Sequence, residues 1–286
     1  MNYTFLLCGL HVRFDVPWEL WISPESRPFL VAPEVSVKPD MSVRFSFADS
    51  LALPAGGIWN IDSYYVTNDQ ERRIWHCPIR GMPPFCSVVW NKNEPETVNI
   101  VVARGQENQI EFTKNLVDLL GLEMFLLHFG GLILHSSVVA WDGKGILFSA
   151  PSGTGKSTQA ALWEQHMGSR TLNGDRAGIR FADGRWTAYG LPFAGTSGIY
   201  CNESVPIRVI VLLKQGPENV ISRVTPMEAF RRLLPECSAR RWDRGFMDQL
   251  IGVLTALIQS VPIYQLECRP DKEAVQLLRD TLTKED

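Results

Sequence analysis

The stretch Gly145-Ile-Leu-Phe-Ser-Ala-Pro-Ser-Gly-Thr-Gly-Lys-Ser-Thr158, continued by Gln159-Ala-Ala-Leu-Trp163, decides the reading of this chain. An apolar run of strand length passes into a glycine-containing turn and then into a good helix start, which is the context a phosphate-binding P-loop requires. Gly153 and Gly155 let the backbone curl so that consecutive N–H groups face phosphate oxygens, and the helix presents its positive end to the same anion. Lys156 then places an ammonium between the β- and γ-phosphates. The Ser157 hydroxyl faces Mg²⁺ and Thr158 the α-phosphate. The general pattern asks for glycine at the first position, where Ala150 stands.

A nucleotide site alone does not say where the γ-phosphate goes, so the neighbouring acids and histidines carry the next step. His135, in Leu134-His-Ser-Ser-Val-Val139, lies on the strand expected before the P-loop strand. Asp175, in Leu172-Asn-Gly-Asp-Arg-Ala-Gly-Ile-Arg180, follows the P-loop helix by a short connection and begins another β-type run. Asp is the usual residue here for holding the metal or taking a proton from an attacking hydroxyl. Taken alone, His135 reads as a core histidine and Asp175 as a turn residue of Asn-Gly-Asp. Their order around the P-loop turns both toward the site.

At these residues the chain resembles the HPr kinase and phosphoenolpyruvate carboxykinase superfamily, and most closely the HPr-kinase-related proteins of bacteria. The resemblance runs from Leu132 to Arg180: a His-Ser strand, the hairpin Asp142-Gly-Lys-Gly145, the P-loop and an acidic motif. Weaker echoes follow in Gly190-Leu-Pro-Phe-Ala-Gly-Thr196 and in the C-terminal helices. The resemblance implies that Ser152, Gly153, Thr154, Gly155, Lys156, Ser157 and Thr158 cradle ATP, that Ser157 and Asp175 hold Mg²⁺, and that His135 faces the γ-phosphate or a metal. It implies a kinase that transfers the γ-phosphate to a hydroxyl: a serine of a peptide, of a small protein or of the free amino acid. Asp175, His135 and Lys156 are then the catalytic residues. The family has two adjacent acids after the P-loop helix, whereas Gly174 stands here in the first position. Either Asp175 takes both jobs, or another residue supplies the base, or catalysis is weakened and the chain is a nucleotide-binding regulatory or scaffold protein. A carboxykinase is disfavoured by the short chain and the lack of a dicarboxylate clamp, and a conformational ATPase by a poor Walker-B strand before Asp175.

Outward from the P-loop the pattern is α/β. Strands are expected at Ile133–Trp141, Gly145–Ser149, Ile207–Leu213 and Ile263–Glu267, and helices at Thr158–Met167, Pro226–Leu234, Asp243–Gln259 and Asp271–Leu282. Upstream, Phe112, Leu116, Leu119, Leu120, Glu123, Leu126 and Leu127 recur at helical spacing. Before them come short β-type runs (Tyr3–Phe14, Ser42–Phe47, Ile74–Ile79, Phe85–Trp90, Val98–Ala103) separated by turn clusters. The fold class expected is α/β with a mixed sheet: a P-loop kinase core over residues 106–286, preceded by a smaller, mostly antiparallel β-rich module over residues 1–105. Arg240, Arg241 and Arg244 could aim at a phosphate, or simply open a helix. Gly190 to Thr196 could line the acceptor pocket, or form an ordinary tight loop.

With 286 residues, 45% of them hydrophobic, and a net charge of −3, the chain can bury substantial cores and is not a disordered or fibrous protein. The near-neutral charge and the nine scattered tryptophans give no support for a nucleic-acid partner. The stretch Leu116–Leu134 carries Asp118, Glu123 and His128, so it reads as a buried helix leading into a strand rather than a membrane span. Six cysteines without a Cys-x-x-Cys pair suit reduced thiols, and with no secretory pattern at Met1–Leu10 the expected compartment is the cytoplasm. The partner expected is a hydroxyl-bearing acceptor, with no membrane involved. Self-association into a homo-oligomer is left open by the sequence.

Overall fold

The fold is taken from a computed structural model that describes residues 1–60, 64–68, 72–90, 94–111, 113–193 and 195–284. Phe112 of the helical pattern and Ala194 of the 190–196 loop lie outside the described residues. The chain divides into two compact units, Met1–Leu122 and Glu123–Asp286, and each carries a multi-stranded sheet. The molecule is mixed α/β.

In the first unit the strands are β1 (Asn2–Leu7), β2 (Leu10–Asp15), β3 (Met41–Ala48), β4 (Ile58–Asn60), β5 (Tyr64–Asn68), β6 (Arg72–His76), β7 (Cys86–Trp90) and β8 (Thr97–Ala103). They form one sheet in the order β1-β2-β3-β8-β7-β6-β5-β4. The run expected over Tyr3–Phe14 is a hairpin, broken at Cys8 and Gly9, which both take positive φ. Most pairings are antiparallel, as expected, but β2 with β3 and β3 with β8 are parallel. The 25 residues between β2 and β3 supply the long connection that such a crossover needs. The helical pattern near the boundary is two short helices, α1 (Thr113–Leu120) and α2 (Leu122–His128), rather than one. Gly121 sits between them at φ +65, a left-handed conformation that ends a helix. No helix among the described residues is long and apolar enough to cross a membrane.

The second unit is built on β9 (Gly131–Trp141), β10 (Lys144–Ser149), β11 (Arg170–Asn173), β12 (Arg176–Ala182), β13 (Arg185–Tyr189), β14 (Ser204–Gln215), β15 (Val220–Arg223) and β16 (Ile263–Cys268). Its helices are α3 (Lys156–Met167), α4 (Pro226–Leu233), α5 (Arg244–Ser260) and α6 (Lys272–Thr283). The strand order is β10-β9-β12-β13-β14-β16-β15, with β11 on β9 and an additional parallel pairing of β10 with β14. The two long strands do double duty. Residues 131–135 of β9 pair with β12, and residues 136–141 pair with β10. Residues 204–206 of β14 pair with β13, whereas its second half pairs with β10 and β16. The sheet therefore rolls back on itself, which brings the start of β12 beside the end of β10: Arg176 pairs with His135, and Ser149 pairs with the adjacent Ser136.

Alternate residues of β10, β14 and β16 (Ile146 and Phe148, Val209 and Val211, Tyr264 and Leu266) face a core closed by α3 and α6. Trp163 is its centre: fully buried, edge-on to Trp141 with ring centroids 5.3 Å apart, and tilted against Phe148. This packing fixes α3, and with it the loop that α3 begins. Asp243 and Asp271 cap α5 and α6 by accepting the backbone N–H of Phe246 and Ala274, so those helices start one residue after the expected Asp.

Candidate functional site

Ser149 ends β10, Ala150 through Gly155 form the turn, and Lys156 opens α3. Gly153 and Gly155 have φ of +80 and +111, a region that side-chain-bearing residues rarely adopt, so glycine is needed at both positions. Ala150 is absent from the residues with positive φ, and its methyl is buried in the α3 core, so the missing glycine costs the loop nothing. Ser152, Gly153, Ser157 and Thr158 are exposed, and Thr154 and Gly155 half-buried, at the mouth of the loop. The amide of Gln215 reaches across from β14 to the carbonyls of Gly153 and Thr154, 3.4 Å from each.

Lys156 is buried, and its Nζ donates to the carbonyls of Ala150 at 2.8 Å and Pro151 at 3.3 Å. Burial pushes its pKa below the ordinary lysine value, while the carboxylates of Glu236 and Asp175 pull it back up. Both acids therefore lie within electrostatic reach of the P-loop cation. Beside the loop, a cleft of about 450 Å³ is lined by Gly153, Thr154, Thr158, Gln159, Gly216 and Arg269 among others.

The structure brings His135 and Asp175 together. His135 and Arg176 are paired across β9 and β12, and His135 Nε2 lies 3.7 Å from Asp175 Oδ1. Asp175 is locked by its surroundings. The buried side-chain oxygen of Asn173 accepts the N–H groups of Asp175 and Arg176, both at 2.9 Å. The Asn173 amide donates to the carbonyls of Leu191 and Phe193, and the Asp175 carbonyl accepts Ser136 N–H at 3.0 Å. The Gly190–Thr196 loop is thus anchored against the acid, although the Ala194 position is outside the described residues. Gly195, at φ +53, faces Asp175 so closely that a Cβ there would meet its Cγ at 2.7 Å. Gly195→Ala is therefore expected to displace the Asp175 carboxylate and change its 3.7 Å separation from His135. A crystal structure of the variant checks this, and an unmoved carboxylate would contradict it.

Sequence reasoning missed Glu236. It comes from a short 3₁₀ turn, residues 234–236, after α4. Its Oε2 lies 2.8 Å from His135 Nδ1, and only 12% of its side chain is exposed. Burial, and then the Glu236 charge, push the neighbouring Cys237 thiol up to about 12, so that sulfur remains a neutral packing group. Nothing local singled out Glu236, because Leu-Pro-Glu-Cys reads as an ordinary helix end. Of the candidate arginines, Arg240 binds Glu123 at 2.7 Å and stands over the Trp242 ring, and Arg244 is exposed beside Asp248. Among the described residues no group of three or more His, Cys, Asp or Glu side chains is arranged to hold a metal. The donors available to Mg²⁺ are a hydroxyl at the start of α3 and a single carboxylate, a sparse set that suits an ion shared with phosphates and water.

No curated protein matches the chain. Among solved structures, the HPr(Ser) kinase/phosphatase from Coxiella burnetii is similar at 13% identity and a TM-score of 0.32, over 54% of this chain and 88% of that one. Residues 115–269, more than half of the chain, match the family model described as SynChlorMet cassette protein ScmC, and the chain belongs to that family.

Proposed function

We propose that this protein is an ATP- and Mg²⁺-dependent kinase that transfers the γ-phosphate to a hydroxyl, that of a serine in a peptide, in a small protein or as the free amino acid. The observation that carries the reading is the convergence of a P-loop having glycine at both left-handed positions, a buried Lys156, and the carboxylate of Asp175 within electrostatic reach of that lysine. Backbone N–H groups from Ser152 to Thr158 bind the phosphates, and the ammonium of Lys156 exchanges the carbonyls of Ala150 and Pro151 for phosphate oxygens. The ribose and base lie in the cleft beside Gly153 and Gly216. Ser157 and Asp175 hold Mg²⁺, which when bound offsets charge on the β- and γ-phosphates. His135 faces the transferring group. The hydroxyl attacks in line, and its proton is taken up within the site.

The test is calorimetry of Mg·ATP binding, followed in the same sample by ADP release with serine-containing peptides and free serine. Binding with acceptor-dependent ADP production is the expected outcome. Binding without turnover on any hydroxyl acceptor would favour a nucleotide-binding regulatory protein, the reading that Gly174 keeps open. Absence of binding would remove the P-loop assignment itself.

A further inference from the structure

Gly174 stands where a second acid would precede Asp175, and the fold has closed that position: a Cβ there would lie 2.2 Å from Ser197 Oγ and 2.5 Å from Ser197 Cβ. A second carboxylate nevertheless reaches the same histidine from another part of the chain. The turn bearing Glu236 is tied to the strand bearing His135 at two points, a bridge between Cys237 and Leu134 and the Ser238 N–H donating to the Ile133 carbonyl at 2.9 Å. The His135 ring is thereby held between two acids. Nδ1 is in hydrogen-bond contact with Glu236 at 2.8 Å, and Nε2 stands 3.7 Å from Asp175, beyond hydrogen-bond reach.

We propose that Glu236 replaces the missing acid as a positioning residue: by accepting the Nδ1 hydrogen of His135 it leaves Nε2 bare on the Asp175 side, where Nε2 receives the proton of the attacking hydroxyl. The inference rests on the kinase reading above. An ionised carboxylate is only an acceptor, so the ring nitrogen beside it carries the hydrogen, and in the neutral ring the other nitrogen presents its lone pair. As the hydroxyl oxygen bonds to the γ-phosphorus, the bond from that phosphorus to the β,γ-bridging oxygen breaks and its electron pair leaves with ADP. The hydroxyl proton passes to Nε2 and from there to water once the phosphoester departs. Asp175 is then left with the metal alone and does not need to do both jobs. The charged groups around the ring are Glu236 and Asp175, with Lys156 in reach of both and Arg176 at 3.5 Å from Asp175.

The tautomer can be read without knowing the acceptor. The full-length chain, labelled with ¹⁵N-histidine, is observed by long-range proton–nitrogen correlation at a fixed pH of about 8, above the usual imidazole range. Among the five histidines, His135 is assigned by its loss in His135→Gln. The expected wild-type ring carries hydrogen on Nδ1, and Glu236→Gln shifts it toward the Nε2–H form, while Glu236→Asp keeps the wild-type pattern. A wild-type ring protonated on Nε2, or a tautomer unmoved by Glu236→Gln, would overturn the proposal. In the ADP-release assay Glu236→Gln is expected to keep the KM for ATP and to lower kcat by about 10²-fold; an unchanged kcat would also overturn it. Calorimetry with Mg·ATP separates the two levels: an Nδ1–H tautomer in a protein that binds no nucleotide would sink the kinase reading, not the tautomer assignment.

Discussion

Lys156→Ala is expected to weaken Mg·ATP binding by about 10- to 100-fold and to lower ADP production further still. Charge-assisted hydrogen bonds of an ammonium to phosphate oxygens are worth about 1.5–3 kcal/mol in ground-state affinity. The charge that shifts onto the bridging oxygen during transfer adds a contribution made only in the transition state. The reason this lysine should matter so much is its setting. It is buried, burial already presses its pKa downward, and in the absence of nucleotide its hydrogens are spent on the carbonyls of Ala150 and Pro151. Calorimetry measures the affinity and a thermal melt verifies that the variant is folded. Lys156→Met, which keeps the aliphatic stem, guards against a loss due to packing. Unchanged affinity in both folded variants would mean that residues 150–158 do not bind phosphate.

Asp175→Asn is expected to leave the fold intact and reduce Mg²⁺-dependent turnover by about 10²- to 10⁴-fold. The substitution preserves shape, so the Asn173 oxygen still accepts both backbone N–H groups and the carbonyl at 175 still accepts Ser136 N–H. What disappears is the charge, and with it the partner of Arg176 and, on the proposed reading, the carboxylate that would hold Mg²⁺. A Mg²⁺ titration of ADP production, run with a thermal melt, separates loss of metal binding from loss of fold. Full turnover at an unchanged Mg²⁺ requirement would take Asp175 out of the site. The contrast with Glu236→Gln is informative. On the proposed reading the first variant removes a group that would hold Mg²⁺ and should shift its concentration dependence, whereas the second acts through His135 and should lower kcat at unchanged metal demand.

The elements that the chain spells out locally match the structure closely. The strand–turn–helix of the P-loop is legible because its signal lies in consecutive residues: apolar β10, two glycines whose φ only glycine tolerates, and a helix whose buried Trp163 locks it to the sheet. The four long helices of the second unit fall within two residues of their expected bounds, because capping residues and apolar spacing are also local. Short strands such as β11 and β15 carried too little pattern to be seen. The single helix expected near residue 120 divided at Gly121, where a left-handed turn outweighed the apolar spacing on either side. The parallel pairings of β3 depended on where long connections placed the strands, which alternation along one strand does not encode.

The candidate site divides in the same way. The sequence by itself determined the strand, glycine turn and helix over residues 145–167 and nominated His135 and Asp175, since each sits at a fixed short offset from an element the chain writes out. It also exposed the gap at Gly174 without showing what fills it. Only the tertiary structure decided that Ser197 closes that gap, that Arg240 is spent on Glu123, and that Glu236, 101 residues beyond His135, meets its ring at 2.8 Å. The physical reason is that backbone conformation is set by neighbours along the chain, whereas a contact between side chains so far apart exists only once β9 and the turn after α4 have been brought edge to edge.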